Sequence, residues 1–184
     1  MGGTPRVSGA VMLDQIRVME ELAGPDAVRA ARDSLPPEQR SELEHVTPVS
    51  WLDSNATAEF VVRVAEHIGK DPERFQIDVV RLGVERTLNT LWRVILKFTT
   101  DAALVKRTPL LYSKTYDVGQ LTSRIMQPGR ADLELTGWPG VPRMELVGLA
   151  TGIETVLRCA GRQDVRVTFD RRPDGAVFIA NWRV

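Results

Sequence analysis

The chain has 184 residues, 43% of them hydrophobic and 26% charged, which is enough apolar material for a folded core without disulfide or metal staples. Lys and Arg together number 24 and so do Asp and Glu, so the basic excess that marks most nucleic-acid binders is missing; Arg166, Arg171 and Arg172 read as a solvated hairpin. One cysteine, Cys159, excludes an internal disulfide and a cysteine-based zinc cluster, and no apolar run suits a signal peptide or a membrane span, so the expected setting is cytoplasmic.

Residues 1 to 8 read as a frayed end. Ser8 can cap a first helix whose apolar stripe is Val11, Met12, Ile16, Met19 and Leu22. Gly24-Pro25 ends it, and Pro25 can open a second helix through Ser34. Pro36-Pro37 starts an acidic helix ending near His45. The stretch from Val46 to Ser54 is expected to be irregular, with Trp51 tucked beneath the helices. Asn55 is expected to cap a fourth helix running to Gly69, with Phe60, Val61, Val64, Ala65 and Ile68 buried. Asp71-Pro72 restarts the helical pattern, which continues from Glu73 to about Phe98 with a break near Gly83, and Trp92 lies beside its apolar face. Residues 99 to 112, with Pro109 and two apolar pairs, read as a connection.

The last third reads as a ββαββ module. Its first hairpin turns at Pro128-Gly129 and its second at Pro173-Asp174-Gly175. Ala131, Leu133 and Leu135 alternate with Asp132, Glu134 and Thr136, so one face is buried and the other wet. The helix from Arg143 to Ala160 places Leu146, Leu149, Ile153 and Leu157 on one side, and Gly148 and Gly152 share a face open to close approach. In the final strand Ala176, Phe178, Ala180, Trp182 and Val184 form an apolar face, while Val177 and Ile179 populate the opposite one. A strand apolar on both sides belongs inside a sheet with both faces covered.

No chemistry stands out. There is no HExxH, GxGxxG, Walker loop or GxSxG elbow, and His45 and His67 fall near helix ends with no second ligand spaced to join them. Cys159 reads as a half-buried helix residue. The aromatic residues Trp92, Tyr112, Tyr116, Trp138 and Trp182 read first as core and secondly as the wall of an apolar pocket between helix and sheet, with Tyr112, Ser113 and Tyr116 supplying hydroxyls.

The run Tyr116-Asp117-Val118-Gly119, the Pro-Gly turn, Gly137-Trp138-Pro139 and the end from Asp174-Gly175 to Trp182 resemble the superfamily of heme-NO-binding and 4-vinyl-reductase-like domains. More narrowly, they look like an uncharacterised paralogous family known from myxobacteria, most clearly over residues 71 to 184. That resemblance implies a scaffold used for heme binding through a histidine, for aromatic-compound sensing beside a cysteine-rich zinc site, or for dimeric trafficking subunits. The chain departs from the first two. Tyr112-Ser113-Lys114-Thr115 does not reproduce the Tyr-x-Ser-x-Arg motif of the heme binders, no histidine lies in the second half, and Cys159 stands alone.

The expected fold is α+β, one domain over 1–184, with residues 1–112 mainly helical and 113–184 forming the ββαββ module. The expected function is a non-enzymatic binding or regulatory module for a small apolar ligand, or else an adaptor without ligand, with no catalytic residue, metal or cofactor and no nucleic-acid or membrane partner. The helices at 11 to 22, 60 to 68 and 80 to 98 offer more apolar stripe than a small sheet can bury. A homodimer formed mainly by the N-terminal and long helices is therefore expected.

Overall fold

The computed structural model describes residues 4–88, 96 and 99–183. It separates into two compact units, residues 1–83 with 115–117, and residues 84–114 with 118–184. Helices and antiparallel sheets make it an α+β protein.

The first unit opens on strand β1 (Arg6–Ser8) and helices α1 (Gly9–Ala23), α2 (Pro25–Asp33) and α3 (Pro37–Glu44). Strand β2 (Trp51–Asp53) then pairs with β1 in antiparallel register, and α4 (Ser54–His67) and α5 (Pro72–Thr87) follow. The proline-led starts of α2, α3 and α5 are where the sequence places them, because proline lacks a donor that the first helical turn does not need. At α5 the Asp71 carboxylate accepts the Arg74 backbone N–H at 2.9 Å. The buried stripes are Met12, Val18 and Met19 on α1, Phe60, Val61 and Val64 on α4, and Phe75 and Val79 on α5.

Several expectations for this unit are corrected. Residues 6–8 are not a frayed end. Val7 is buried between Leu52 of β2 and an antiparallel bridge to Tyr116, and Asp117 N–H donates to the Arg6 carbonyl at 3.2 Å. Trp51 is not beneath the helices. Side chains alternate along β2, Leu52 takes the inner side with 0% exposure, and the period of two turns Trp51 outward. The cap of α4 is Asp53, whose carboxylate accepts from the N–H groups of Asn55 at 2.7 Å and Ala56 at 3.3 Å, so Asn55 lies inside the first turn. Gly83 does not break α5, which passes through it with Val18 of α1 opposite. The part of the expected long helix at 89–95, 97 and 98 lies outside the described residues.

The second unit holds the largest correction. Residues 99 to 112 are no connection: helix α6 runs Asp101–Thr115, with Pro109 inside it. Thr100 Oγ1 accepts the Ala103 N–H at 3.3 Å and opens the helix. Pro109 has no N–H for the Val105 carbonyl four residues earlier, and Ser123 Oγ donates to that carbonyl at 2.7 Å. A hydroxyl from the sheet thus satisfies the acceptor that proline leaves open. After α6 come β3 (Gln120–Gln127), β4 (Arg130–Thr136), α7 (Arg143–Cys159), β5 (Gln163–Arg172) and β6 (Gly175–Arg183). The sheet is antiparallel in the order β3-β4-β6-β5, so the last strand is interior, and both hairpins turn where the sequence places them.

On the inner face Leu121, Leu133 and Leu135 meet Ala176, Phe178 and Ala180, all at 3% exposure or less. Helix α7 lies against β5 and β6 and contributes Leu146, Ala150 and Leu157. Each fully buried Leu or Phe contributes about 1.5–3 kcal/mol relative to an exposed one, so this layer carries the unit. The opposite face is not covered as expected. Val177 and Ile179 are only half-buried, because their cross-strand neighbours are Glu134 and Asp170, and Asp132 and Thr168, whose polar groups keep that face wet.

Candidate functional site

The described residues among those proposed for a pocket are divided between the two units. Trp92 lies outside the described residues. Tyr116 is buried in the first unit, beside Val7. Tyr112, Trp138 and Trp182 are buried in the second.

Tyr112 and the backbone next to Trp138 meet at one end of the sheet. Tyr112 lies in the last turn of α6 and its hydroxyl donates to the Val118 carbonyl at 2.6 Å. Gly119 follows at φ +67°, and a Cβ placed there would meet the Thr136 carbonyl oxygen at 2.7 Å and the Tyr112 hydroxyl at 3.3 Å. Gly137, the residue before Trp138, packs on the Gly119 backbone. From the other hairpin, the Asp174 carboxylate accepts the Gly137 N–H at 2.9 Å, and its carbonyl accepts the Trp138 N–H at 3.1 Å. The Val118-Gly119, Gly137-Trp138 and Asp174-Gly175 motifs are therefore three strands of one knot. Its glycines are needed because backbones touch, and it pins the ends of β3, β4 and β6.

Trp182 is fixed at the other end of the sheet. Its backbone N–H donates to the Gly129 carbonyl at 2.8 Å, and its indole N–H to Asp101 Oδ2 at 3.1 Å. The other Asp101 oxygen receives Arg162, with Nε at 2.8 Å and Nη2 at 2.7 Å. Arg162 is 13% exposed, and it also donates to the Thr99 and Ala160 carbonyls, each at 2.6 Å. One guanidinium thus joins the start of α6, the end of α7 and the indole of β6. Sequence reasoning missed Asp101 and Arg162. Partners 61 and 81 positions apart leave no periodic trace, and the only local signal was Asp101 in the first turn of a helix read as a connection.

Of the hydroxyls the sequence offered for a ligand, that of Tyr112 is committed to a carbonyl within the chain; the Trp182 indole is likewise committed to a carboxylate. Ser113 Oγ donates to the Leu110 carbonyl at 3.0 Å. His45 and His67 are exposed at the C-terminal ends of α3 and α4, with His45 Nδ1 2.8 Å from the Ser41 carbonyl oxygen. Cys159 is half-buried as the last residue of α7. Among the described residues no group of three His, Cys, Asp or Glu side chains is arranged to hold a metal, and no helix is long and apolar enough to cross a membrane.

No family model matches the chain, and no curated protein matches it in sequence. Solved structures do. The chain is similar to a variant of an Fe(II) unliganded H-NOX protein from K. algicida, with a TM-score of 0.71 at 8% identity over 96% of this chain and 97% of that one. It is similar to a structure probing heme distortion in the H-NOX family, with a TM-score of 0.68 at 15% identity over 96% and 95%. It is also similar to the oxygen complex of an oxygen-binding H-NOX domain related to soluble guanylate cyclases, with a TM-score of 0.65 at 15% identity over 96% and 95%. Over nearly its whole length, then, the chain has the fold of an H-NOX domain.

Proposed function

We propose that the chain is a non-enzymatic, heme-free sensing module that responds to a small apolar ligand held between helix and sheet in its second unit. One observation carries this reading: a likeness to H-NOX structures over 96% of the chain, combined with side chains that do not suit heme. The neighbours are described as oxygen-binding and heme-containing; the chain's own residues must decide what it can hold.

A heme needs an axial ligand, most often a neutral histidine facing the iron. Both histidines of the sequence are solvent-exposed helix-end residues of the first unit, and residues 84–114 and 118–184 contain none. The Tyr112 hydroxyl, another possible ligand, is already donating to Val118. The residues do not fit the group. An apolar ligand suits them better, because the inner sheet face offers Leu, Phe and Ala and spends its polar groups on itself.

A second reading, an adaptor that binds partners without ligand, draws support from the same committed hydroxyl and indole groups. Within the heme-NO-binding and 4-vinyl-reductase-like superfamily, the placement nearest the uncharacterised myxobacterial family rests on the turn motifs that form the glycine knot. A cytoplasmic setting goes with both readings. Native mass spectrometry of the protein purified from its own host separates them. A stoichiometric small organic mass released on denaturation supports the sensor; the bare chain mass in every preparation favours the adaptor. A mass equal to heme overturns both.

A further inference from the structure

Five large apolar side chains stand exposed among the described residues, and four of them form two pairs in opposite electrostatic settings. Leu110 and Leu111, 58% and 52% exposed, lie on α6. Lys106, Leu110 and Lys114 are spaced by four and form one ridge, with Arg107 and Leu111 forming the next. From residue 102 to 116 there is no carboxylate. Lys106, Arg107 and Lys114 are all exposed, and none is ion-paired to a described residue.

The second pair is Val49 and Trp51, 87% and 38% exposed. Around them, residues 37–53 carry Glu38, Glu42, Glu44 and Asp53 against Arg40 alone. Glu42 reaches the Asp53 backbone N–H at 3.3 Å, which draws α3 and β2 into one corner. Three cations around two leucines thus have a counterpart in a net excess of three carboxylates around two apolar residues.

We infer that these are the two halves of one contact, in which the α6 ridge of one copy seats on the α3–β2 corner of a second copy. Leu110 and Leu111 cover Val49 and Trp51 there, and the three cations meet the carboxylates. Complementary charge sets register and excludes the like-on-like pairing of either patch with itself. An anionic lipid surface or an acidic helix would answer to α6 alone. Only a second copy answers to both patches, and in a chain of zero net charge the opposed local charges have each other as counterpart. The patches differ, so the contact is heterologous. Made once per copy, it leaves one patch of each kind free to bind a further copy head to tail. This surface differs from the apolar stripes at 11 to 22, 60 to 68 and 80 to 98, and the inference stands whether or not the module holds a ligand.

Sedimentation equilibrium of the full chain at micromolar concentration, in low and in high salt, tests it. Mass above 20.5 kDa is expected in low salt and should fall as salt screens the contact. The double variant Lys106→Glu/Lys114→Glu should weaken association about tenfold or more, and Glu38→Lys/Glu44→Lys should do the same, since each makes the two patches alike in sign. Mixing the two reversed chains should restore association, because each then presents to the other only opposite charges. All four positions are exposed, and unchanged thermal melting would show that the variants fold. The monomer mass throughout, association indifferent to the reversals, or a mixture that stays monomeric would each overturn the inference. So would a monomer that instead co-sediments with vesicles of anionic phospholipid, which would assign the α6 ridge to a membrane surface.

Discussion

Two single residues show how differently the same fold can depend on a side chain. Trp182 contributes both area and a polar bond, being 6% exposed with its indole N–H on Asp101. Trp182→Ala should cost about 3–5 kcal/mol, the range for emptying a buried aromatic site. Trp182→Phe keeps most of the ring and leaves Asp101 to Arg162, so it should cost about 1–2 kcal/mol, the lost bond plus a small void. Denaturant midpoints at unchanged slope would measure both; equal losses would mean that the Asp101 bond, not the ring, holds the strand. Gly119 works by absence. At φ +67°, with the Thr136 carbonyl 2.7 Å from any Cβ, Gly119→Ala adds left-handed strain of about 1–2 kcal/mol to a clash with backbone that cannot yield. It should destabilise more than that strain alone, and a melting temperature within error of the parent would show that the glycine knot is loose.

The elements differ in how much of them the sequence made visible. Hairpins and proline-led helices were legible because their signals are local: Pro128-Gly129 and Asp174-Gly175 turn strands, and Pro25, Pro37 and Pro72 open helices. Helix α6 was hidden because Pro109 normally argues against a helix interior, and the compensation lies on another element. Trp51 was misplaced because three residues are too few for a period to declare itself, and the pairing of β2 with β1 depends on chain 45 residues away. Among the candidate site residues, the burial of Tyr112, Trp138 and Trp182 was legible from their size; that the polar atoms of Tyr112 and Trp182 are consumed inside the chain was not, since Asp101 lies 81 positions from Trp182. The Pro109–Ser123 arrangement makes its own prediction. Ser123→Ala strands the buried Val105 carbonyl and should cost about 1–3 kcal/mol. In a Pro109→Ala background residue 109 regains an N–H for that carbonyl, so the same Ser123→Ala change should cost markedly less. Strictly additive losses in this double-mutant cycle would show that the hydroxyl is not standing in for the missing donor.

At the scale of the whole molecule, the proposal of a heme-free module turns on where the histidines lie in an H-NOX fold. An H-NOX architecture spans 96% of the chain, yet the unit that carries the sheet contains no histidine at any position. In that unit the inner sheet face is lined by Phe178, Leu133 and Leu135 at 1% exposure or less, and the sheet ends are tied by the glycine knot and by Arg162. Hemin added to the purified protein should therefore give only the broad, weak absorption of nonspecific adsorption, without a sharp Soret band and without saturation at one equivalent. The histidines provide the internal control. His45→Ala/His67→Ala should leave that spectrum unchanged, because both imidazoles sit in solvent at helix ends of the first unit. A saturable one-to-one Soret band in the parent would restore the heme reading. Its loss in the double variant would identify one of those exposed imidazoles as the ligand; its persistence would point to a tyrosine, Tyr112 or Tyr116, or the thiol of Cys159.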